Sequence, residues 1–454
     1  MMPPGWVAVG GSFYDQYKAV QDNPNLSPKQ RAEAEVGVLE AWLGDPKGMC
    51  VSLLDHPEDA ILPTPIGTFV TKFHDVAEVL DRDEIFGVAD GYGARMQISG
   101  GLFMLGMDAG ADYERETSLI KLAMPPTDFV AIRTWVRSYV QGVVDQIAKA
   151  GSTIDVVQDI GYRVPTGFVG YYYGVPGPTQ DAWITWQQML ALFIFNFWTG
   201  GSPYREEASA MGLSYQSYIN DTIRQRWATV SGGGEAPDDV LTRLITSAIA
   251  NPAGNLDEIA IRRNLGGLAI GSTIAPSGNI INALDYIIGL KDSDPATFAL
   301  IVRAAVDDDT ALLEHCMLEA SRLGTPVPPT LFRIALEDYV LAAGTPREKK
   351  IAKGTTVIVV PASAIMDSEM IDQPDEFRID RPLWTYMIFG DGMHKCLGLQ
   401  IGKMLLTEAA RAVLTLPNVR RAAGPAGHIQ RGQGLPGGGY PAHMMFDFGE
   451  PVKS

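Results

Sequence analysis

The chain has 454 residues, 46% apolar and 20% charged, the balance of a protein that folds throughout rather than one that stays disordered. Its net charge of −17 excludes a general nucleic-acid binder, because phosphate binding needs a basic footprint. Only three cysteines occur, Cys50, Cys316 and Cys396, and their wide spacing excludes a disulfide framework or a CxxC zinc pattern and points to a reducing compartment.

The N-terminal stretch MMPPGWVAVGGSFYDQYKAV has no charged region followed by an apolar run, so it does not read as a leader. PIGTFVTKF, after a Pro-rich turn, carries a strand signal, and PTDFVAIRTWVRSYVQGVVDQIAKAG repeats apolar residues at three and four, which predicts a helix. The longest strongly apolar run, MLALFIFNFW from Met189 to Trp198, is too short to span a bilayer, which predicts a soluble, cytoplasmic protein without a membrane anchor. SGGGEAPDD, Ser231 to Asp239, reads as a loop between helices. NLDEIAIRRNLGGLAIG begins with an asparagine cap, Asn255, and an acidic first turn. KGTTVIVVPASA, Lys353 to Ala364, is β-branched, and AHMMFDFG supplies a last strand signal. Helices in the middle and strands near the ends predict a mostly α (α+β) fold, a large helical body with a small β-rich side.

The stretch FGDGMHKCLG, Phe389 to Gly398, combines Phe389, Gly392, Cys396 and Gly398 as F-x-x-G-x-x-x-C-x-G, followed by the strongly helical LQIGKMLLTEAARAVLTL. A cysteine just before a helix lies near the positive end of its dipole, and glycines let backbone amides approach the sulfur. An iron-bound thiolate needs that environment, since amide hydrogen bonds to sulfur tune the metal. Lys395 beside it is a candidate member of a basic patch for an acidic protein partner.

This loop resembles the haem-binding loop of the cytochrome P450 superfamily of haem-thiolate oxygenases, and the resemblance extends over nearly the whole chain, residues 1–454, as a single domain. It implies haem b as cofactor, with Cys396 as the metal ligand and Phe389 and Gly392 as parts of the cradle. EASR, Glu319 to Arg322, looks like the family's E-x-x-R, and PDEFRIDRP, Pro374 to Pro382, like the segment that supplies a second arginine. Glu319 and Arg322 share one helical face, so their ion pair can clamp Arg381 or Arg378. Arg333 and His394 fall where the family places partners of the haem propionates, which would otherwise be buried unpaired. Tyr113 and Arg115 stand where many members carry another histidine and arginine for the same purpose.

GGLAIGSTIAPSGNIINALDYII, Gly266 to Ile288, corresponds to the family's distal helix but lacks the acid that delivers protons to dioxygen. Pro276 there is expected to open or kink the helix, and Thr273 or Ser272 remains as a catalytic hydroxyl. WITWQQMLALFIFNFWTGGSPY occupies the place of the mobile lid helix, which makes Phe193 and Phe197, with Tyr92 and Met104 from DGYGARMQISGGLFML, candidates for an apolar substrate wall. The implied function is a monooxygenase acting on a hydrophobic small molecule with dioxygen and electrons from a ferredoxin-type redox partner. The missing acid and Pro276 keep open a peroxide-driven peroxygenase or fatty-acid hydroperoxide isomerase, and the ligand motif alone leaves a non-catalytic haem sensor open as well.

Overall fold

A computed structural model describes residues 11–42, 45–195, 204–254, 256–432 and 439–449. The chain is mostly helical, and its axis is one long helix, Glu258–Ser293, with buried residues such as Ile261, Leu265, Ile270, Ile281 and Leu284 on every side. A helix apolar all round belongs inside a protein, and this one packs against most of the helical body. Asp257 caps its start by accepting the Ala260 amide, whereas the expected cap, Asn255, lies outside the described residues.

Pro276 does not end this helix, contrary to the expected opening. A proline removes one ladder bond, and here side chains bond to carbonyls along the same stretch. Thr273 donates to Ala269, Ser277 to Thr273 and Asn279 to Ala275. Asn279 also bonds both ways with the backbone of Val327, and Asn282 donates to Thr325, which pins the loop leading into strand Leu331–Ala335.

The β-rich side is a five-stranded sheet in the order Ile61–Thr64, Gly67–Val70, Thr356–Val359, Leu331–Ala335 and Phe86–Gly87. Gly67–Val70 and Thr356–Val359 run parallel, Thr68 opposite Val357, so the two strand signals far apart in sequence form adjacent strands. Both are shorter than their signals. After Val70 the chain turns into helix Phe73–Asp81 because the Asp367 carboxylate accepts the Phe73 amide while binding the buried Lys72. After Val359, Pro361 starts a short helix, the position where proline is tolerated. The last strands, Pro441–His443 and Met445–Asp447, belong to separate small sheets, the second pairing with Thr153–Asp155.

The helix after the cysteine loop, Leu399–Leu414, packs along Phe129–Ala150. Their seam is pinned by Glu408, fully buried, whose carboxylate receives Arg133, Arg137 and Arg411. A buried carboxylate needs such partners, and these come from both helices.

Candidate active site

Helix Thr310–Leu323 carries Glu319 and Arg322 one turn apart on its buried face. Arg322 forms a two-pronged pair with Glu319, at 2.9 and 2.6 Å, and Arg381 closes on the same carboxylate at 3.0 Å; all three side chains are buried. Arg322 also donates to the carbonyls of Pro374 and Glu376, and Arg381 to those of Asp372 and Gln373. The segment before the cysteine loop is therefore held by its backbone. Arg378 contributes only its amide to Glu319, its guanidinium going to Asp372 and Asp380. The clamp is Glu319, Arg322 and Arg381.

From that support the chain runs into the cysteine loop. Gly392 adopts φ +68°, and a Cβ there would sit 2.0 Å from the Leu80 carbonyl oxygen, so only glycine fits. The Cys396 amide donates to Phe389 O at 2.9 Å, closing the loop ahead of the helix that begins at Leu399. The Cys396 side chain is exposed in its loop; partial desolvation by the surrounding chain raises its thiol pKa, and the Gly398 amide works against that rise. The expected amide beside the sulfur is therefore present, and a bound cation would add the positive charge that favours the thiolate.

Asp83, which the sequence reading did not single out, organises the other side of the loop. Its carboxylate accepts the Met393 amide and faces His394 Nδ1 at 3.1 Å, while His394 Nε2 faces the Met107 carbonyl at 2.9 Å. Tyr113 donates to Met393 O at 2.7 Å and meets the His394 ring edge-on. His394 and Tyr113 are therefore gathered at the loop, but their polar atoms are bound to protein groups. The Arg115 guanidinium bonds instead to Asp112 and Glu116, acids on its own helix.

Arg333 differs. It is 3% exposed, donates from Nη1 to the Phe332 carbonyl, and its Nε has no hydrogen-bond partner among the described residues. Burial lowers its pKa, opposed by Tyr92, Asp83 and Asp108. Asp83 and Asp108 are themselves engaged by backbone amides. A buried guanidinium with an unused donor is the arrangement that a carboxylate-bearing cofactor completes, and with the cysteine loop it fits haem.

The remaining expected residues fall into two groups. Tyr92 and Phe193 are buried, and Tyr92 lies with its ring 3.9 Å from Phe332, beside Arg333. Met104 is buried, with its sulfur facing the Thr117 hydroxyl, and Phe197 lies outside the described residues. Thr273 is fully buried and its proton goes to the helix carbonyl of Ala269, while the Ser272 hydroxyl pairs with Tyr173 at 2.8 Å.

Fold and site together describe a mostly helical protein with one cysteine held in a tight glycine loop just ahead of a helix. Residues 308–415 match the family model for cytochrome P450. The steroid C26-monooxygenase of Mycolicibacterium smegmatis is 26% identical over 288 residues, 62% of this chain and 64% of that relative, so the alignment spans just under two thirds of its length. Cytochrome P450 109 of Bacillus spizizenii is 24% identical over 375 residues, 81% of this chain and 82% of the relative. A crystal structure of P450BioI in complex with an acyl carrier protein bearing hexadec-9Z-enoic acid superposes with a TM-score of 0.72 at 19% identity, covering 90% of this chain and 99% of that one. Residues 308–415 thus carry the cytochrome P450 pattern, and the chain is similar over most of its length to members of that superfamily. Among the described residues no helix is long and apolar enough to cross a membrane.

Proposed function

We propose that this protein is a haem-dependent monooxygenase that oxidises a hydrophobic small molecule with dioxygen and electrons from a ferredoxin-type redox partner. The observation that carries the reading is the pairing of the Cys396 loop with a buried Arg333 whose Nε lacks a partner. Haem bound there supplies oxygen activation, with the cysteine ligand's electron donation favouring O–O cleavage. Cys396 would be the metal ligand, Arg333 would hold a propionate, and Glu319, Arg322 and Arg381 would keep the loop in place. Tyr92, Phe332 and Phe193 form buried apolar surface that excludes water and suits a substrate oriented by few polar groups.

A second reading is favoured by one observation: Thr273 gives its proton to the helix, leaving no committed distal proton donor in that turn. On that reading the oxidant is a peroxide or a lipid hydroperoxide, and no reductase is needed.

One experiment tests both. Ferric protein is mixed with lipids, terpenes and fatty-acid hydroperoxides, with peroxide alone or with a ferredoxin, its reductase and nicotinamide cofactor. Product only with the electron chain supports the first reading; product without reductant supports the second; no product under any oxidant removes both. Cys396→Ala is expected to lose the thiolate-type reduced carbon-monoxide spectrum while remaining folded. An unchanged spectrum in that variant would remove the ligand assignment.

A further inference from the structure

The turn of the central helix in which Thr273 spends its proton holds a second hydroxyl. Ser272 is half-buried, and its Oγ lies 2.8 Å from the Tyr173 hydroxyl, a contact in which either group could donate. Tyr173 is 1% exposed, and its hydroxyl has no other hydrogen-bond partner among the described residues. If it accepted here its own proton would be buried unbonded, so Tyr173 donates and the Ser272 proton stays available. Thr273, Ser277 and Asn279 all bond back to carbonyls of their own helix, whereas Ser272 makes no such bond among the described residues.

Three features bring this pair beside the cysteine loop. Helix Leu399–Leu414, which starts just after Cys396, packs against the central helix and against Arg163–Phe168, the segment that runs into Val169–Tyr173. The Cys396 charge reaches Tyr173: burial raises the tyrosine pKa, the bond to Ser272 lowers it, and Cys396 raises it again. Gly271, next to Ser272, is exposed although it lies between the buried Ile270 and Thr273, and a Cβ there would meet nothing within 4 Å. Cys396 is exposed as well. The pair therefore borders open space within electrostatic reach of the sulfur.

Tyr173 is itself firmly held. Its ring stands edge-on to the buried Phe168 ring at 5.5 Å, and Gly174 follows it at φ +77°, where a Cβ would lie 2.6 Å from the Asp239 carboxylate. Arg226 fixes that carboxylate in turn. Because burial and the Cys396 charge keep its pKa high, Tyr173 retains its proton and can orient Ser272 but not act as the acid. We propose that Ser272 hydrogen-bonds and passes protons to the oxygen being reduced beside it, and that Tyr173 is the positioning residue that aims it. In each transfer the serine O–H bond breaks as an O–H bond forms on that oxygen, and water reaching Ser272 past Gly271 returns the proton. The electrons come from the redox partner. This rests on the monooxygenase reading and supplies the donor that Thr273 does not.

The test is the infrared spectrum of carbon monoxide bound to the reduced, haem-loaded full chain, because a hydrogen bond to the ligand oxygen lowers its stretching frequency. Ser272→Ala is expected to move the band to higher frequency and to abolish its shift in deuterated water. Tyr173→Phe, which keeps the ring packing, should broaden the band and move it the same way, and Ser272→Thr should restore the wild-type position. On a substrate from the panel above, product formed per nicotinamide cofactor consumed should fall about tenfold or more in Ser272→Ala. A purely packing role for the pair would lower the melting temperature of both variants and leave the band in place, which would overturn the proposal. A band or product yield in Tyr173→Phe identical to wild type would overturn it too. A wild type whose reduced carbon-monoxide absorption lacks the thiolate signature removes the haem-thiolate reading and this proposal with it, a failure visible before any variant is compared.

Discussion

Around the cysteine loop, polar side chains reach between segments: Glu319 joins Arg322 to Arg381, Asp83 holds Met393 and His394, and Glu408 ties two helices. Along the central helix near Pro276, Thr273 and Ser277 bond instead to their own helix. The first pattern fixes where one loop sits relative to the whole molecule. The second keeps a proline-bearing helix continuous. A metal ligand must be held to a fraction of an ångström, which only bonds from several elements provide, whereas a continuous helix needs only its own carbonyls satisfied.

The widest break in this contrast comes from Glu319→Ala. It leaves Arg322 and Arg381 buried without a counter-charge, and a loss of about 3–5 kcal/mol in denaturant unfolding is expected. A loss under about 1 kcal/mol would mean that the backbone carbonyls on the two arginines suffice.

Asp83→Ala removes a charged acceptor from the Met393 amide and from His394. The expected cost is about 1.5–3 kcal/mol, together with weaker cofactor retention in a haem-release assay. Arg333→Leu should separate the two roles of a buried cation. The unloaded chain is expected to keep its stability within about 1 kcal/mol or gain some, while haem affinity falls about 10- to 100-fold. If both stability and affinity are unchanged, Arg333 holds no propionate.

Thr273→Val sharpens the comparison from the other side. With its proton already given to Ala269, the hydroxyl is expected to matter little, with turnover changing by about twofold or less. A fall of about 100-fold or more would instead make it a working proton donor.

The smallest effect concerns Lys47, whose ammonium donates to the carbonyls of Arg322, Leu323 and Gly324 at the end of the clamp helix. Burial, aided by Arg322, lowers its pKa from 10.5 to about 8. Between those values the unfolded chain holds the proton that the folded chain has released, so this residue makes stability rise as pH increases through that window. Lys47→Met should flatten the slope relative to wild type; an identical slope would remove the assignment.

Much of this was legible in the residues. The cysteine loop could be read because its chemistry is local: Gly392 is demanded by the approach of Leu80, and the loop is closed by the Phe389 carbonyl. The clamp was half legible, since Glu319 and Arg322 share a helix, but the choice of Arg381 over Arg378 depended on acids next to Arg378 claiming its guanidinium. Asp83 had no signal, because one acid in the run DRDE looks like any solvated surface charge. The partners of Arg115 were equally hard to foresee: Asp112 and Glu116 on its own helix bind its guanidinium.

By itself the sequence determined the helical body, the positions of the two strand signals, the cysteine and its loop, and the helical placement of Glu319 and Arg322. These follow from periodicity and from backbone demands that act over a few residues. Only the tertiary structure decided that Thr68 lies beside Val357, that Asp367 starts the helix at Phe73, and that Arg333 is buried with an unused Nε. Each of those depends on which distant groups are left to satisfy a buried charge or amide. Sequence spacing does not encode that partnership; packing does.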